Sequence, residues 1–178
     1  PGELAALLRR GLEFDAMVST GGVSVGEFDL VGGALADLGV ETLFERVAVK
    51  PGKPVVFGRR GTTLVFGLPG NPTSTVVSFL LFVRPALLKM GGRGRLFLER
   101  RQAVLAETLR LKPGRKQFLR AVLEPVEDVA RVRLAGHQGS GNLLGSVRAN
   151  CLLEVPAEAA CLQAGTAATV HLFPGVEL

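Results

Sequence analysis

STGGVSVGEFD, residues 19–29, is the stretch on which the reading of the fold turns. The apolar run DAMVS (15–19) leads into it and reads as a short strand. Phe28 to Leu38 follows and reads as a helix closed by Gly39. A strand that turns on glycines into a helix points backbone N–H groups at the turn, and the helix dipole adds positive potential there. Gly21, Gly22 and Gly26 let an anion approach the backbone, while Ser19, Thr20 and Ser24 add hydroxyl donors. Asp29 stands at the helix start, where a carboxylate beside a phosphate makes chemical sense if a hard cation bridges them. The same residues also suit a plain tight turn in which Glu27 and Asp29 favour the helix N-terminus.

Working outward, GELAALLRRGLEF (2–14) predicts an amphipathic helix with Leu4, Leu7, Leu8 and Leu12 on one face. Downstream, VETLFERVAV (40–49) is a strand region broken by KPGKP (50–54). VVFGRRGTTLVFGL (55–68) predicts two strands around a turn at Arg60-Gly61. GLPGNPTS (67–74) repeats the strand-end, helix-start pattern and leads into a long helix from Thr73 to about Met90. Asn71 suits its N-cap, Pro72 its first turn, and Pro85 should bend it about one turn earlier. The alternation predicts a parallel sheet flanked by helices, with both glycine loops on its carboxyl edge, where ligands bind. Pro69, Gly70, Asn71 and Pro72 are thus candidate binding residues, or simple turn chemistry on a well-capped helix. Lys50 and Lys53 are point charges suited to oxyanions in a proline-stiffened loop, or the tip of an exposed hairpin.

Gly91-Gly92-Arg93-Gly94 marks a change of pattern. QAVLAETLRL, QFLRAVLEPV, ARVRLAG, ANCLLEVP and TAATVHLF are short segments of β character, parted by turns such as Pro113-Gly114 and Ala164-Gly165. The expected organisation is an α/β domain over residues 1–92 and a small all-β barrel or sandwich over 96–178. GHQGSGNLLGS (136–146) is a long polar loop of the kind that carries function. His137 alone is weak support for a site, and His171 reads as structural.

Composition narrows the classes. With 47% hydrophobic and 21% charged residues among 178, the chain has the material for a core and is not intrinsically disordered. The net charge of +5 is uneven: residues 1–90 account for +1 and residues 91–178 for +4. That bias favours anionic partners. Nucleic acid is not expected, because there is no Trp or Tyr to stack on bases and no binding signature. Mean hydropathy is +0.33. The longest apolar run, Val76 to Val83, ends at Arg84-Pro85 and predicts no membrane span. Cys151 and Cys161 lack metal-ligand spacing and are expected reduced and buried, in keeping with a cytoplasmic setting. The N-terminus has neither an initiator Met nor the apolar core of a signal peptide, as expected of a piece of a longer protein. Walker A, zinc and GxSxG patterns are absent, so chemistry driven by electrostatics and a bound metal fits the residue supply best.

STGGVSVGEFD, VKPGKP and GLPGNP, in that order, resemble the MoeA-type molybdenum insertases (molybdopterin molybdenumtransferases), with which the gephyrin E domain belongs. RKQFLRA (115–121) and GHQGS…NCLLEVP (136–156) resemble the family's C-terminal domain. The loop continuing as VSVGEFD separates the chain from the sibling MogA- and MoaB-type adenylyltransferases and from CinA-type proteins. The resemblance implies an incomplete MoCF/MogA-like three-layer α/β domain followed by a small barrel-like domain. It implies insertion of molybdenum from molybdate into adenylylated molybdopterin, with release of AMP and use of a divalent cation such as Mg²⁺. Carried over by position, Asp29 would hold the metal, and Ser19, Thr20, Gly21, Gly22, Ser24 and Gly26 would line the phosphate site. Lys50 and Lys53 would contact the anionic substrate, and Pro69, Gly70, Asn71 and Pro72 would shape the pocket wall. Arg120 and Ser140 would lie near the molybdate. Family members carry further N-terminal domains and act as homodimers. The alternatives are a non-catalytic interaction scaffold, as in the gephyrin E domain, and the sibling adenylyltransferase activity.

Overall fold

The computed structural model describes residues 2–22, 30–126, 129–139 and 147–176, Leu30 by its backbone alone. Two compact units emerge: residues 1–47 with 52–96, and residues 48–51 with 97–178. The chain therefore passes between them three times, and the KPGKP stretch is divided between the two.

The first unit holds α1 (Gly2–Gly11), β1 (Ala16–Thr20), α2 (Leu30–Asp37), β2 (Glu41–Arg46), β4 (Pro54–Arg60), β5 (Thr63–Leu68) and the helical run α3 (Pro72–Ser78) to α4 (Arg84–Met90). Its sheet runs β1-β5-β4-β2. Only β1 and β5 are parallel; β4–β5 and β2–β4 are antiparallel. The sheet is thus mixed, where the sequence predicted a parallel one. The reason lies at Gly61-Thr62: a two-residue connection cannot carry a crossover, so it folds back as a hairpin.

Strand β5 sorts its side chains to two faces. Val65 packs with Leu8, Leu12, Met17, Val31, Leu35 and Val40 under α1 and α2. Phe66 and Leu68 pack with Val55 and Val83 on the other face, with Phe57 and Leu64 beside them. Helices on both faces of a sheet make the three layers that the resemblance implied. Burying each such side chain contributes roughly 1.5–3 kcal/mol. Leu7 departs from the helical reading: it is 57% exposed, while α1 buries Leu8 with Leu4 partly covered, and Leu12 is buried just past its end.

The long helix is one run in three parts. Asn71 caps it, accepting from the Ser74 N–H at 3.3 Å. Residues Phe79–Val83 form a π turn in which the Arg84 N–H reaches Phe79 O. Pro85 offers no N–H to the preceding turn and its ring crowds it, so the ladder widens just upstream. Because the helix continues through Arg84-Pro85, Pro72–Met90 is 19 residues of hydropathy 1.3. By length and composition alone it could cross a membrane, contrary to the expectation drawn from the shorter run Val76 to Val83.

The second unit is built from β3 (Val49–Lys50), β6 (Arg100–Leu105), β7 (Leu109–Arg110), β8 (Lys116–Val126), β9 (Val129–Leu134), β10 (Cys151–Val155), β11 (Cys161–Leu162) and β12 (Ala167–Leu172). The order β10-β12-β6-β9-β8 closes on itself because β8 also pairs with β10, giving a five-stranded barrel. Strand β3 adds to β8 in parallel. Its interior is Leu105, Leu119, Ala121, Leu123, Val132, Cys151, Leu153, Val155, Val170 and neighbours. Closure removes the sheet edges that a flat arrangement would expose. Cys151 lies in that core, but Cys161 is exposed, against expectation. It lies on the two-stranded β7–β11 ribbon outside the barrel pairing.

Candidate functional site

In the first unit the two glycine loops meet. The parallel register sets Ser19 opposite Gly67 and Thr20 opposite Leu68, so β1 and β5 end together. The Gly21 N–H continues the ladder to Leu68 O at 2.9 Å. A Cβ on Gly70 would stand 3.2 Å from the Gly21 Cα, and Gly21 has φ +84°. Only glycines allow backbone to lie on backbone here. The PGNP loop is held from below by Thr75, whose hydroxyl donates to Pro69 O and to Asn71 O. Sequence reasoning missed Thr75; a threonine four residues after an N-cap is the signal that would have found it.

Two of the expected donors behave differently. The Ser19 hydroxyl turns to its own sheet, donating to Phe66 O at 3.5 Å, while Thr20 stays exposed. Gly22 lies so close to Val31 that a side chain there would collide with it. Pro69 is buried below the loop, and Pro72 opens α3. Ser24, Gly26 and Asp29 lie outside the described residues, as does Ser140.

The KPGKP loop splits its lysines between the units. Lys53, with the first unit, accepts the Val47 N–H at its carbonyl, 3.0 Å away. Gly52 (φ +98°) packs on Ser78, whose hydroxyl a Cβ would strike. Among the described residues, Ser78 Oγ and Thr73 Oγ1 are buried on α3 without a hydrogen-bond partner. Lys50 belongs to the second unit and pairs through its backbone with Gln117.

In the second unit Arg120 is the central polar residue of β8, only 3% exposed. Its guanidinium donates to His137 O at 3.2 Å and Gly139 O at 3.3 Å. Gln138 bridges the same strand, accepting from the Arg120 N–H and donating to Arg120 O, each at 3.0 Å. Burial lowers the Arg120 pKa from its ordinary value. Arg120 thus carries a desolvated cation to the start of the GHQGS loop and shapes that loop. Gln138 and the cations Lys112 and Arg115 were not singled out by sequence reasoning. The signal was available: Lys112-Pro113-Gly114-Arg115 repeats the pattern of Lys50-Pro51-Gly52-Lys53.

His171 is structural, as expected. Its Nε2 lies 2.7 Å from Glu154 Oε2, and its ring sits edge-on to Phe118 at 5.5 Å. Burial works against charge on Glu154, but hydrogen bonds and charge from Lys116 and His171 outweigh it and hold the carboxyl below its ordinary pKa. Among the described residues no group of three or more His, Cys, Asp or Glu could hold a metal ion.

Glycine loops at the ends of two parallel strands, followed by a barrel with a buried arginine, define a class. Residues 1–89 match the family model described as probable molybdopterin binding domain, and residues 102–173 match the MoeA C-terminal region (domain IV). The chain is 36% identical to molybdopterin molybdenumtransferase 2 of Mycobacterium tuberculosis over 91% of its own length and 41% of the relative's. It is 37% identical to gephyrin of Dictyostelium discoideum over 85% of its length and 24% of the relative's. The crystal structure of a molybdopterin biosynthesis MoeA protein from Pyrococcus horikoshii superposes with TM-score 0.78 at 32% identity, over 97% of this chain and 41% of that one. The chain belongs to the molybdopterin-binding family, in its MoeA-type form. It spans about two fifths of the length of the molybdenumtransferase it matches.

Proposed function

We propose that the chain serves molybdenum cofactor biosynthesis by supporting insertion of molybdenum from molybdate into adenylylated molybdopterin, with hydrolytic release of AMP. The observation that carries this reading is the contact of the Gly21 and Gly70 loops at one sheet edge. It leaves a surface without side chains, against which a phosphate can rest. On this reading Thr20, Gly21 and Gly22, with Ser24 and Gly26, receive the phosphates, and Pro69 to Pro72 form the wall beside them. Ser19 acts at one remove, by holding the strand end. Lys50 and Lys53 offer charge to the anionic substrate, and Arg120, with Ser140, to molybdate. A divalent cation such as Mg²⁺ would sit at Asp29. No set of described residues makes such a site, so no step is routed through the cation. A homodimer in the cytoplasm, without nucleic acid or membrane partners, completes the proposal.

The test is calorimetric titration with adenylylated molybdopterin in the presence of Mg²⁺ and molybdate, with AMP release followed in parallel. Saturable binding that weakens at least tenfold in Asp29→Ala supports the reading. A folded chain that binds nothing overturns it. Consumption of ATP to add an adenylyl group would instead identify the sibling adenylyltransferase activity. Peptide binding without nucleotide binding would identify a scaffold.

A further inference from the structure

Helix α3 carries a polar group that the fold buries without using it. Ser78 is 0% exposed, and among the described residues its hydroxyl has no hydrogen-bond partner. It does not cap the π turn that starts at Phe79. Nor does it donate to the carbonyl of Ser74, four residues back, as helix serines often do. What it faces is the turn that carries Lys53. Gly52 is buried against it: a Cβ on Gly52 would strike Ser78 Oγ and stand 3.7 Å from Ser74 O. With φ +98° and no side chain, Gly52 lays its peptide backbone directly on the hydroxyl. The next residue, Lys53, is exposed, and its carbonyl accepts the Val47 N–H at 3.0 Å. One turn earlier on the same helix, the Thr75 hydroxyl holds Pro69 O and Asn71 O. Helix α3 thus supports both the PGNP loop and the Lys53 turn, all within the first unit.

Burying a hydroxyl without a partner costs stability, and an alanine at this place would carry no such cost. Packing alone therefore does not account for a serine here. A hydroxyl both donates and accepts, so it can take either polar group of a peptide brought against it. We propose that Ser78 is a positioning residue for Lys53. A small settling of the Gly52-Lys53 turn lets the Ser78 hydroxyl engage the turn's backbone, and that bond fixes where the Lys53 ammonium stands. Ser78 itself touches no substrate. The proposal rests on the reading of Lys53 as a cation that faces the anionic substrate, and adds the group that holds it in place.

Two measurements on the chain decide it. The first needs no ligand: amide hydrogen exchange at Val47, whose N–H is held by Lys53 O, in wild type, Ser78→Ala and Ser78→Thr. Expected is exchange about tenfold faster in Ser78→Ala, with a Tm that does not fall. Ser78→Thr keeps the hydroxyl and should restore wild-type exchange. Unchanged Val47 exchange in Ser78→Ala overturns the proposal, as does faster exchange spread evenly over the sheet with a lowered Tm. The second is titration with adenylylated molybdopterin of wild type, Ser78→Ala, Lys53→Ala and the double variant. The Kd should rise about fivefold in Ser78→Ala, and no further when Lys53 is already alanine. Equal fold-losses in both backgrounds overturn the proposal, because Ser78 would then act elsewhere than through Lys53. Binding that ignores Lys53→Ala, or no binding by wild type, counts against the proposed function at that lysine, and Val47 exchange still decides whether Ser78 seats the turn.

Discussion

Gly21 and Gly70 touch backbone to backbone: a Cβ added to Gly70 would lie 3.2 Å from the Gly21 Cα. They belong to loops 49 residues apart in the chain, joined because β1 and β5 run parallel and end together. The anion-binding surface proposed above depends on this approach, since a Cβ at Gly70 would press on the other loop, while at Gly21 it is the left-handed φ of +84° that disfavours a side chain.

Gly70→Ala should therefore part the loops by a few tenths of an ångström. Expected is a loss of affinity for adenylylated molybdopterin of about tenfold with little change in Tm. Gly21→Ala should cost about 1–2 kcal/mol of stability as well, because φ +84° is strained for any L side chain. Chemical denaturation beside calorimetric binding separates the two effects.

Arg120 offers a sharper test of folding against binding. Arg120→Ala leaves His137 O and Gly139 O without their donor and should cost roughly 3 kcal/mol. Arg120→Lys keeps a charge but lacks the planar fork, and should loosen the loop while largely preserving the barrel. Hydrogen exchange at Gly139, whose N–H donates to His137 Nδ1 at 3.0 Å, reports the loop directly.

Glu154 sets a pH dependence. Its folded pKa is depressed, so it binds fewer protons in the native than in the unfolded state. Its contribution is full above the unfolded carboxylate value of about 4.3 and is lost as pH falls through the lower folded value. Glu154→Gln should destabilise by about 1–2 kcal/mol at neutral pH, Lys116 being half exposed. The gap to wild type should close on acidification. A gap that stays constant down to pH 3 would contradict this account.

The cysteines should separate cleanly. Cys161 is exposed and should react with a thiol reagent in the native state. Cys151 is fully buried in the barrel, and burial pushes its thiol up to about 12. It should label only on unfolding, so the stoichiometry of labelling doubles in denaturant.

What the sequence determined by itself was local. The strand at 16–20, the helix end at Gly39, the cap at Asn71, the distortion before Pro85 and the β character after Gly94 all follow from neighbouring residues. Each depends on which φ/ψ values and hydrogen bonds a few residues can satisfy among themselves. The motifs at 19–29, 50–54 and 67–72 were legible for the same reason. Only the tertiary structure decided what depends on distant partners. The short Gly61-Thr62 turn made the sheet mixed, and the 49-residue interval from Thr20 to Pro69 said nothing of their strands' shared edge until β1 paired with β5. Lys50 and Lys53, three apart, went to different units, because β3 found its partner in β8. Leu7 and Cys161 came out exposed, and Arg120 went into the barrel wall, because burial is decided by the neighbours that long-range pairing supplies.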